Sequence, residues 1–286
     1  ALVVAARYKA ETGALLHYDT HEFATLEFDE QLWWRLVYKS FVTHLERACM
    51  ASANTVSTVG PRLADALQAH YNLARPPAVV RNIPDAIALD GSAETQWPLR
   101  ILYHGQVLPD RGLEALIDSI PLWKDPHHLT IRGDGDAGYL ARLKARLAAA
   151  GKAGLVTFEG AVLPDEVMPL AARSADLGVH FTPLETIQRH FSLPNKLFEY
   201  IGSGLAVAVS PGLDLKRIVE GHGLGVVSAD AGHEAAAAAI NNLTQESVAA
   251  FRVKAREAAK LLCWEEERAV LSATLEPLLE KLSVVM

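Results

Sequence analysis

From Arg100 onward the chain keeps one rhythm, in which a short aliphatic run is followed by a turn and then by a stretch of helical length. The runs are "RILYHG", "HLTIRG", "GLVTFEG", "DLGVHFT", "LAVAVS" and "LGVVS". Between them, helices are predicted to start at Asp110, Asp136, Pro164, Pro194 and near Asp214, with three more near Gly232, Thr244 and Trp264. Strands alternating with helices of this length imply right-handed crossovers and a parallel sheet covered on both faces. The fold class that follows is α/β, doubly wound.

The first 85 residues carry the same alternation less cleanly. A helix-like opening leads to a strand at "ALLHY" (14–18) and a long amphipathic helix over 28–51 with Leu32, Leu36, Phe41 and Leu45 on one stripe. A strand in "NTVSTVG", a helix from Pro61 to about Tyr71 and a short strand "AVVRN" follow. "IPDAIALDGSAETQWPLR" then loses periodicity and reads as linker. The expected organisation is a first domain over 1–85, a linker over 86–98, a second domain over 99–262, and a terminal helix over 263–286 packing back toward the first. The chain opens without a signal-peptide charge pattern, and Ala1 reads as an interior start.

With 286 residues, 50% of them hydrophobic, the chain can bury a sizeable core. A net charge of -7 without any lysine- or arginine-rich run disfavours nucleic acid as a partner. The two cysteines, Cys49 and Cys263, form no C-x-x-C pattern, so neither a disulfide framework nor a zinc site is indicated. No run reaches the ~18 apolar residues of a membrane span. A soluble, cytoplasmic protein is expected, with peripheral membrane contact left open.

"FSLPNKLFEYIGSG" (191–204) begins as loop and turns into a helix. Pro194 disfavours helix at Leu193 and should itself take the first helical position. The amides of Asn195 and Lys196 then lack intrahelical partners at the positive end of the helix dipole, an arrangement suited to an anion. Leu193, Leu197, Ile201 and Leu205 form the stripe expected to be buried. Lys196 and Glu199 read either as a solvated i, i+3 pair worth ~0.2 to 0.5 kcal/mol or as two groups facing one cleft. The second reading gains weight from the turns "HGQVLPDRG", "RGDGDAG" and "FEGAVLP", because ligands of an open parallel sheet bind beyond the carboxyl ends of its strands.

The order "HGQVLPDRGLEALI", "TIRGDGD", "VTFEGAVLPDEVMPLAARSADLGVHFTP", "SLPNKLFEYIGSGLAVAVS" resembles the donor-binding domain of retaining GT-B glycosyltransferases, specifically glycosyltransferase family 4. "LLHYDTHEF" and "VVRNIPD" resemble the family's histidine-bearing strand and the approach to its interdomain hinge. The resemblance implies two Rossmann-like domains, the N-terminal one lacking its first half. It implies transfer of a sugar from a nucleotide-diphosphate sugar to an acceptor, which is a glycan, a lipid-linked sugar or a small molecule, with retention and without a metal. By position, Arg111 and Lys196 would meet the donor diphosphate, and His21 the donor sugar and leaving phosphate. Glu199, the second of two family glutamates, would accept from the ribose hydroxyls. Gly105, Gln106, Gly133, Gly135, Glu159, His190, Ser192, Leu193 and Asn195 complete the implied donor site. Phe191 stands where the family carries its first glutamate, and Gln106 where many members carry arginine.

Two other functions fit the same architecture: a nucleotide-sugar 2-epimerase, for which no clear acid/base carboxylate pair is visible, and a non-catalytic nucleotide-sugar-binding protein. "GDGDAG" matches G-x-G-x-x-G, but its late position and the absence of an acidic ribose partner argue against a dehydrogenase. His127 and His128 lack metal-ligand spacing and read as a surface turn. Trp33 and Trp34 read as core or interdomain packing. Asp19 and Glu22 flank His21 as candidates to orient its ring or touch the acceptor.

Overall fold

The computed structural model describes residues 2–89 and 94–283, with only the backbone of 281–283. It divides into two compact units. The first holds Ala1–Asn82, Thr186–Leu193 and Glu265–Met286, and the second Ile83–Glu185 and Pro194–Trp264. Residues 90–93 of the predicted linker lie outside the described residues.

The first unit begins with α1 (Leu2–Thr12), β1 (His17–Thr20), α2 (Lys39–Ser52), β2 (Thr55–Thr58), α3 (Pro61–Tyr71) and β3 (Ala78–Val79). Its strands form a parallel sheet in the order β1-β2-β3, with His17 opposite Thr55 and Ser57 opposite Ala78. The predicted strand 14–18 is thus shifted toward its C-terminal end. Proline opens α3, and Asn72 closes it in the left-handed conformation at φ 54°. Phe23, Met50, Val59, Leu63, Leu67 and Tyr71 make the core.

The predicted helix over 28–51 is not one regular helix. A π-helical turn at Trp34–Tyr38 precedes α2, and the extra residue in such a turn changes the phase of the side-chain pattern. The expected stripe points outward on both sides of this turn, with Leu32 60%, Leu36 72% and Phe41 61% exposed, while Glu46, Cys49 and Met50 turn inward. Trp33, expected in a packed surface, is 74% exposed. Trp34 donates from Nε1 to the Thr25 carbonyl at 3.1 Å. The buried Glu46 carboxylate accepts from Tyr18 Oη at 2.9 Å and from Tyr71 Oη, so the polar group turned into this core is satisfied.

The second unit carries β4 (Arg100–His104), α4 (Leu113–Ser119), β5 (His128–Arg132), α5 (Ala137–Ala149), β6 (Val156–Glu159), α6 (Pro164–Ser174) and β7 (Leu177–His180). The chain then passes through α7 (Ile187–Phe191), which belongs to the first unit, and returns. It continues with α8 (Asn195–Gly202), β8 (Ala206–Val209), α9 (Leu213–His222), β9 (Gly225–Val227), α10 (His233–Asn241) and α11 (Gln245–Ala259). α12 (Trp264–Ser283) ends the chain, almost wholly within the first unit. There the Glu267 carboxylate accepts from the Arg81 backbone amide at 2.6 Å and from Arg81 Nε at 2.8 Å.

Six parallel strands run in the order β6-β5-β4-β7-β8-β9. Strand order reverses between β4 and β7, which is the crevice where such sheets bind ligands. Leu99, Ile101 and Tyr103, with Leu129, Ile131, Leu177 and Val179, anchor one face of the sheet. At the amino end of β7, buried Asp176 takes bonds from Arg100 Nε at 2.9 Å and Arg252 Nη1 at 3.0 Å.

Four further expectations shift. α4 starts at Leu113 rather than Asp110, because Asp110 (φ 63°) and Gly112 (φ 78°) are both left-handed. Pro194 is the extended residue that caps α8 (ψ 140°), not its first helical residue. Phe191 closes the short helix α7, whose Thr186 side chain accepts from the Arg189 amide, rather than lying in a loop. His127 is buried, not a surface turn, because its Nδ1 accepts from the Leu99 amide at 3.0 Å and its ring lies against Trp97 and Trp123. Among the described residues no helix is long and apolar enough to cross a membrane.

Candidate functional site

The β4–α4 loop and the start of α8 define the crevice at the strand-order reversal. Gly112 comes so close to the end of β7 that a β-carbon there would stand 1.9 Å from the Phe181 carbonyl oxygen. This contact holds the loop bearing Arg111, itself exposed, over the carboxyl end of β7. The Lys196 ammonium, on the first turn of α8, lies 3.9 Å from the centre of the Tyr103 ring. A β-carbon on Gly105 would come within 3.4 Å of Lys196 Nζ.

Burial, with the nearby positive charge of Arg111, lowers the Lys196 pKa to about 7, and Glu199 opposes that shift. Burial also holds His180 well below its usual value, helped by Lys196 and Arg111, so its ring is neutral where β7 ends. Thr182 Oγ1 stands 3.1 Å from His180 Nε2. No side chain caps α8, so the amides of its first turn, which carries Lys196, have no side-chain acceptor. Such a corner has the character of an anion site: two cations, a helix amino end, and cations that repel one another until a negative group arrives.

Beside it opens a cleft of about 670 Å³, lined by His104, Gly105, Gln106, Arg132, Gly133, Gly135, Ala161, Val162 and Glu199 among others. Its glycines are backbone requirements. Gly133 sits at φ 149°, and a β-carbon on it would stand 1.9 Å from the Gly105 carbonyl oxygen. On Gly135 the same atom would stand 2.1 Å from the Val107 carbonyl oxygen. Only glycine lets the turns after β4 and β5 lie side by side, paired through Gly105 N to Arg132 O (3.0 Å) and Val107 N to Asp134 O (2.9 Å).

His104, Arg132 and Glu159 end three adjacent strands in register, forming a polar row beneath the cleft. His104 Nε2 lies 3.1 Å from Glu199 Oε2, and Arg132 Nε donates to Glu159 Oε2 at 2.7 Å. Glu159 is therefore already paired. His104 and Arg132 were not singled out from the sequence. Their signal was weak but present, since each is a polar residue closing an otherwise aliphatic strand.

In the first unit, His21 follows β1 with its side chain 56% exposed, and Nε2 lies 2.8 Å from Asp19 Oδ2. The other Asp19 oxygen accepts from Ser57 Oγ. With that proton committed, the 3.1 Å contact between Ser57 Oγ and His17 Nε2 needs the proton on the His17 nitrogen. Asp19 thus orients His21, while Glu22 accepts through its carbonyl from Thr20 Oγ1. His190, Ser192 and Leu193 also belong to the first unit, and Phe191 packs against Phe23, ring centres 6.4 Å apart. Arg111, Lys196, Asn195, Glu199, Gly105, Gln106, Gly133, Gly135 and Glu159 belong to the second. Among the described residues, no group of three or more His, Cys, Asp or Glu is placed to hold a metal ion.

The sequence model of the family described as Glycosyl transferases group 1 matches residues 98–246, just over half the chain. No curated protein matches. Among solved structures, HepE from Anabaena in complex with UDP superposes with a TM-score of 0.74 at 17% identity, over 98% of this chain and 76% of that one. WaaG, a glycosyltransferase involved in lipopolysaccharide biosynthesis, gives 0.67 at 16% identity, over 95% and 80%. The pneumococcal O-GlcNAc transferase GtfA in complex with UDP and GlcNAc gives 0.71 at 16%, over 96% and 54%. At such identities the likeness is one of fold.

Proposed function

The chain belongs to the Glycosyl transferases group 1 family, and from that premise we propose that it transfers a sugar from a nucleoside-diphosphate sugar to an acceptor hydroxyl, as a retaining family 4 enzyme. The observation that carries this reading is the cationic corner at the strand-order reversal, where Lys196, Arg111 and the amino end of α8 gather beside a cleft of nucleoside size. Support comes also from structures of the same fold that were solved with UDP.

In the reaction the bond between the anomeric carbon and the β-phosphate oxygen breaks, and its electron pair leaves with the diphosphate. Negative charge grows on that oxygen as the bond lengthens, so donors fixed there lower the barrier. Lys196 and Arg111 supply the charge, each charge-assisted bond being worth ~1.5 to 3 kcal/mol. Two cations and a helix end offset the diphosphate charge, which is why metal-independent transfer is proposed. With retention by front-face attack, the acceptor oxygen bonds the anomeric carbon on the face the diphosphate leaves. Its proton passes to the departing phosphate. His21, held by Asp19, is assigned to the donor sugar and leaving phosphate.

Calorimetric titration with UDP, GDP, ADP and TDP tests the donor site. Binding by none of them, or binding unchanged in Lys196→Ala, would overturn it. A second reading, a nucleotide-sugar-binding protein without transfer, is favoured by Phe191 packing on Phe23 where the family carries a glutamate. Donor binding without hydrolysis or transfer would select that reading.

A further inference from the structure

Two residues lining the cleft carry a buried side-chain nitrogen without a hydrogen-bond partner among the described residues, His104 at Nε2 and Arg132 at Nη1, and of these only the guanidinium nitrogen is an obligate donor. Arg132 is 3% exposed, and two of its three nitrogens are engaged, Nε with Glu159 at 2.7 Å and Nη2 with Ser174 Oγ at 3.2 Å. Its Nη1 is buried without a hydrogen-bond partner among the described residues, and Arg132 lines the cleft. A buried N–H without an acceptor is costly, so a ligand atom that accepts there is the natural partner.

The surroundings decide what kind of acceptor. Glu159 neutralises the guanidinium, and Asp134 and Asp136 also line the cleft. An additional anion gains little beside three carboxylates, whereas the diphosphate has Lys196 and Arg111. Leu108, Ala161, Val162 and Val167 give the same cleft apolar walls that suit a flat ring. Glu199, 3.1 Å from His104, supplies a carboxylate for ribose hydroxyls in the same space. A neutralised but directional donor among apolar walls suits a ring carbonyl.

Resting on the reading of this cleft as a nucleoside-diphosphate site, we infer that Arg132 reads the nucleobase edge and selects a ring bearing a keto oxygen, as uracil and guanine do, over one bearing an amino group there. Against the 4-amino group of cytosine or the 6-amino group of adenine, Arg132 Nη1 meets a second donor, and the nearest acceptor is displaced to the adjoining ring nitrogen. The penalty for such a mismatch is large compared with that for a change of ring size, because a buried donor is left facing a donor.

The experiment is calorimetric titration of the full chain with UDP, CDP, GDP and ADP. UDP and CDP share the ribose diphosphate and the 2-keto oxygen, and differ at one edge of the ring, a 4-keto group beside N3–H in uracil against a 4-amino group beside a bare N3 in cytosine. UDP should bind on the order of tenfold or more tighter than CDP, or GDP than ADP by the same margin, and which pair binds tells pyrimidine from purine. CDP or ADP binding as tightly as its keto counterpart overturns the inference while leaving the nucleotide site intact. Binding by none of the four overturns the nucleotide reading itself. In Arg132→Gln, whose amide can turn to donate or accept, the ratio should fall toward one, and an unchanged ratio also overturns the assignment. Arg132→Lys, which keeps a charge opposite Glu159 but loses the planar fork, serves if the first variant does not fold, with the same expected collapse.

Discussion

Glu199 Oε2 lies 3.1 Å from His104 Nε2, a contact between the last residue of β4 and the second turn of α8. The two groups are close but not hydrogen-bonded, so the Glu199 carboxylate lines the cleft with its acceptor capacity unspent on His104. If that carboxylate accepts from a ribose, Glu199→Gln should weaken UDP binding by roughly 10- to 100-fold, the worth of one or two charge-assisted bonds. The same variant should bind 2′-deoxy-UDP about as well as UDP. A strong preference for the ribo form in Glu199→Gln would place the ribose elsewhere.

Lys196 makes binding depend on pH. In the empty site its pKa is lowered to about 7, and a bound diphosphate should raise it again. Affinity is then expected to fall as pH rises above about 7, with proton uptake on binding. Titrations in buffers of different ionisation enthalpy near pH 8 measure that uptake, and Lys196→Met should abolish it.

The same shift has the opposite consequence for the empty protein. The unfolded lysine keeps its proton up to its ordinary value of 10.5, while the folded one loses it near 7. Between those values the unfolded state binds more protons, so stability contributed by this group rises with pH. Thermal unfolding at pH 7 and pH 9.5 of the wild type and Lys196→Met isolates the effect, and the variant should lack that part of the rise.

Gly133→Ala should be costly whether or not a ligand is bound. The new methyl would meet the Gly105 carbonyl oxygen at 1.9 Å, at a φ of 149° that only glycine adopts easily. A loss of about 1 to 3 kcal/mol or more is expected in denaturant unfolding. Gly151→Ala is a useful contrast, since it too has positive φ (66°) but no atom within 4 Å, so only the smaller backbone strain remains.

Asp19→Ala should separate binding from chemistry. Asp19 holds His21 at 2.8 Å in the first unit, whereas the cation corner is in the second. Sugar transfer is expected to fall roughly 10- to 100-fold through kcat, with the donor KM little changed. A change confined to KM would give Asp19 a binding role instead. Transfer should persist undiminished in excess EDTA, and restoration by an added divalent cation would refute metal independence.

Local signals were enough for much of the fold. Pro61 marked the start of α3, and aliphatic runs between glycine turns located the strands of the second unit. Local pattern failed where a distant partner decides. His127 is buried because the Leu99 amide needs an acceptor, a pairing no neighbouring residue announces. The stripe through Leu32, Leu36 and Phe41 is exposed, because periodicity identifies an apolar face and not whether another element covers it. Within the site, Lys196 and Glu199 were legible because they sit one turn apart on a helix opened by a proline. His104 and Arg132 were not, because their meaning comes from register between strands that the sequence keeps 28 residues apart.

The chain crosses between its two units after Asn82, Glu185, Leu193 and Trp264. A single cut between residues 185 and 186 would therefore not release one unit from the other. Piece 1–185 would carry most of the first unit and the β4–β7 half of the second. Piece 186–286 would carry α7 and α12 together with α8 and the strands β8 and β9. Each unit needs both pieces, so the split protein could regain either one only by reassembling both.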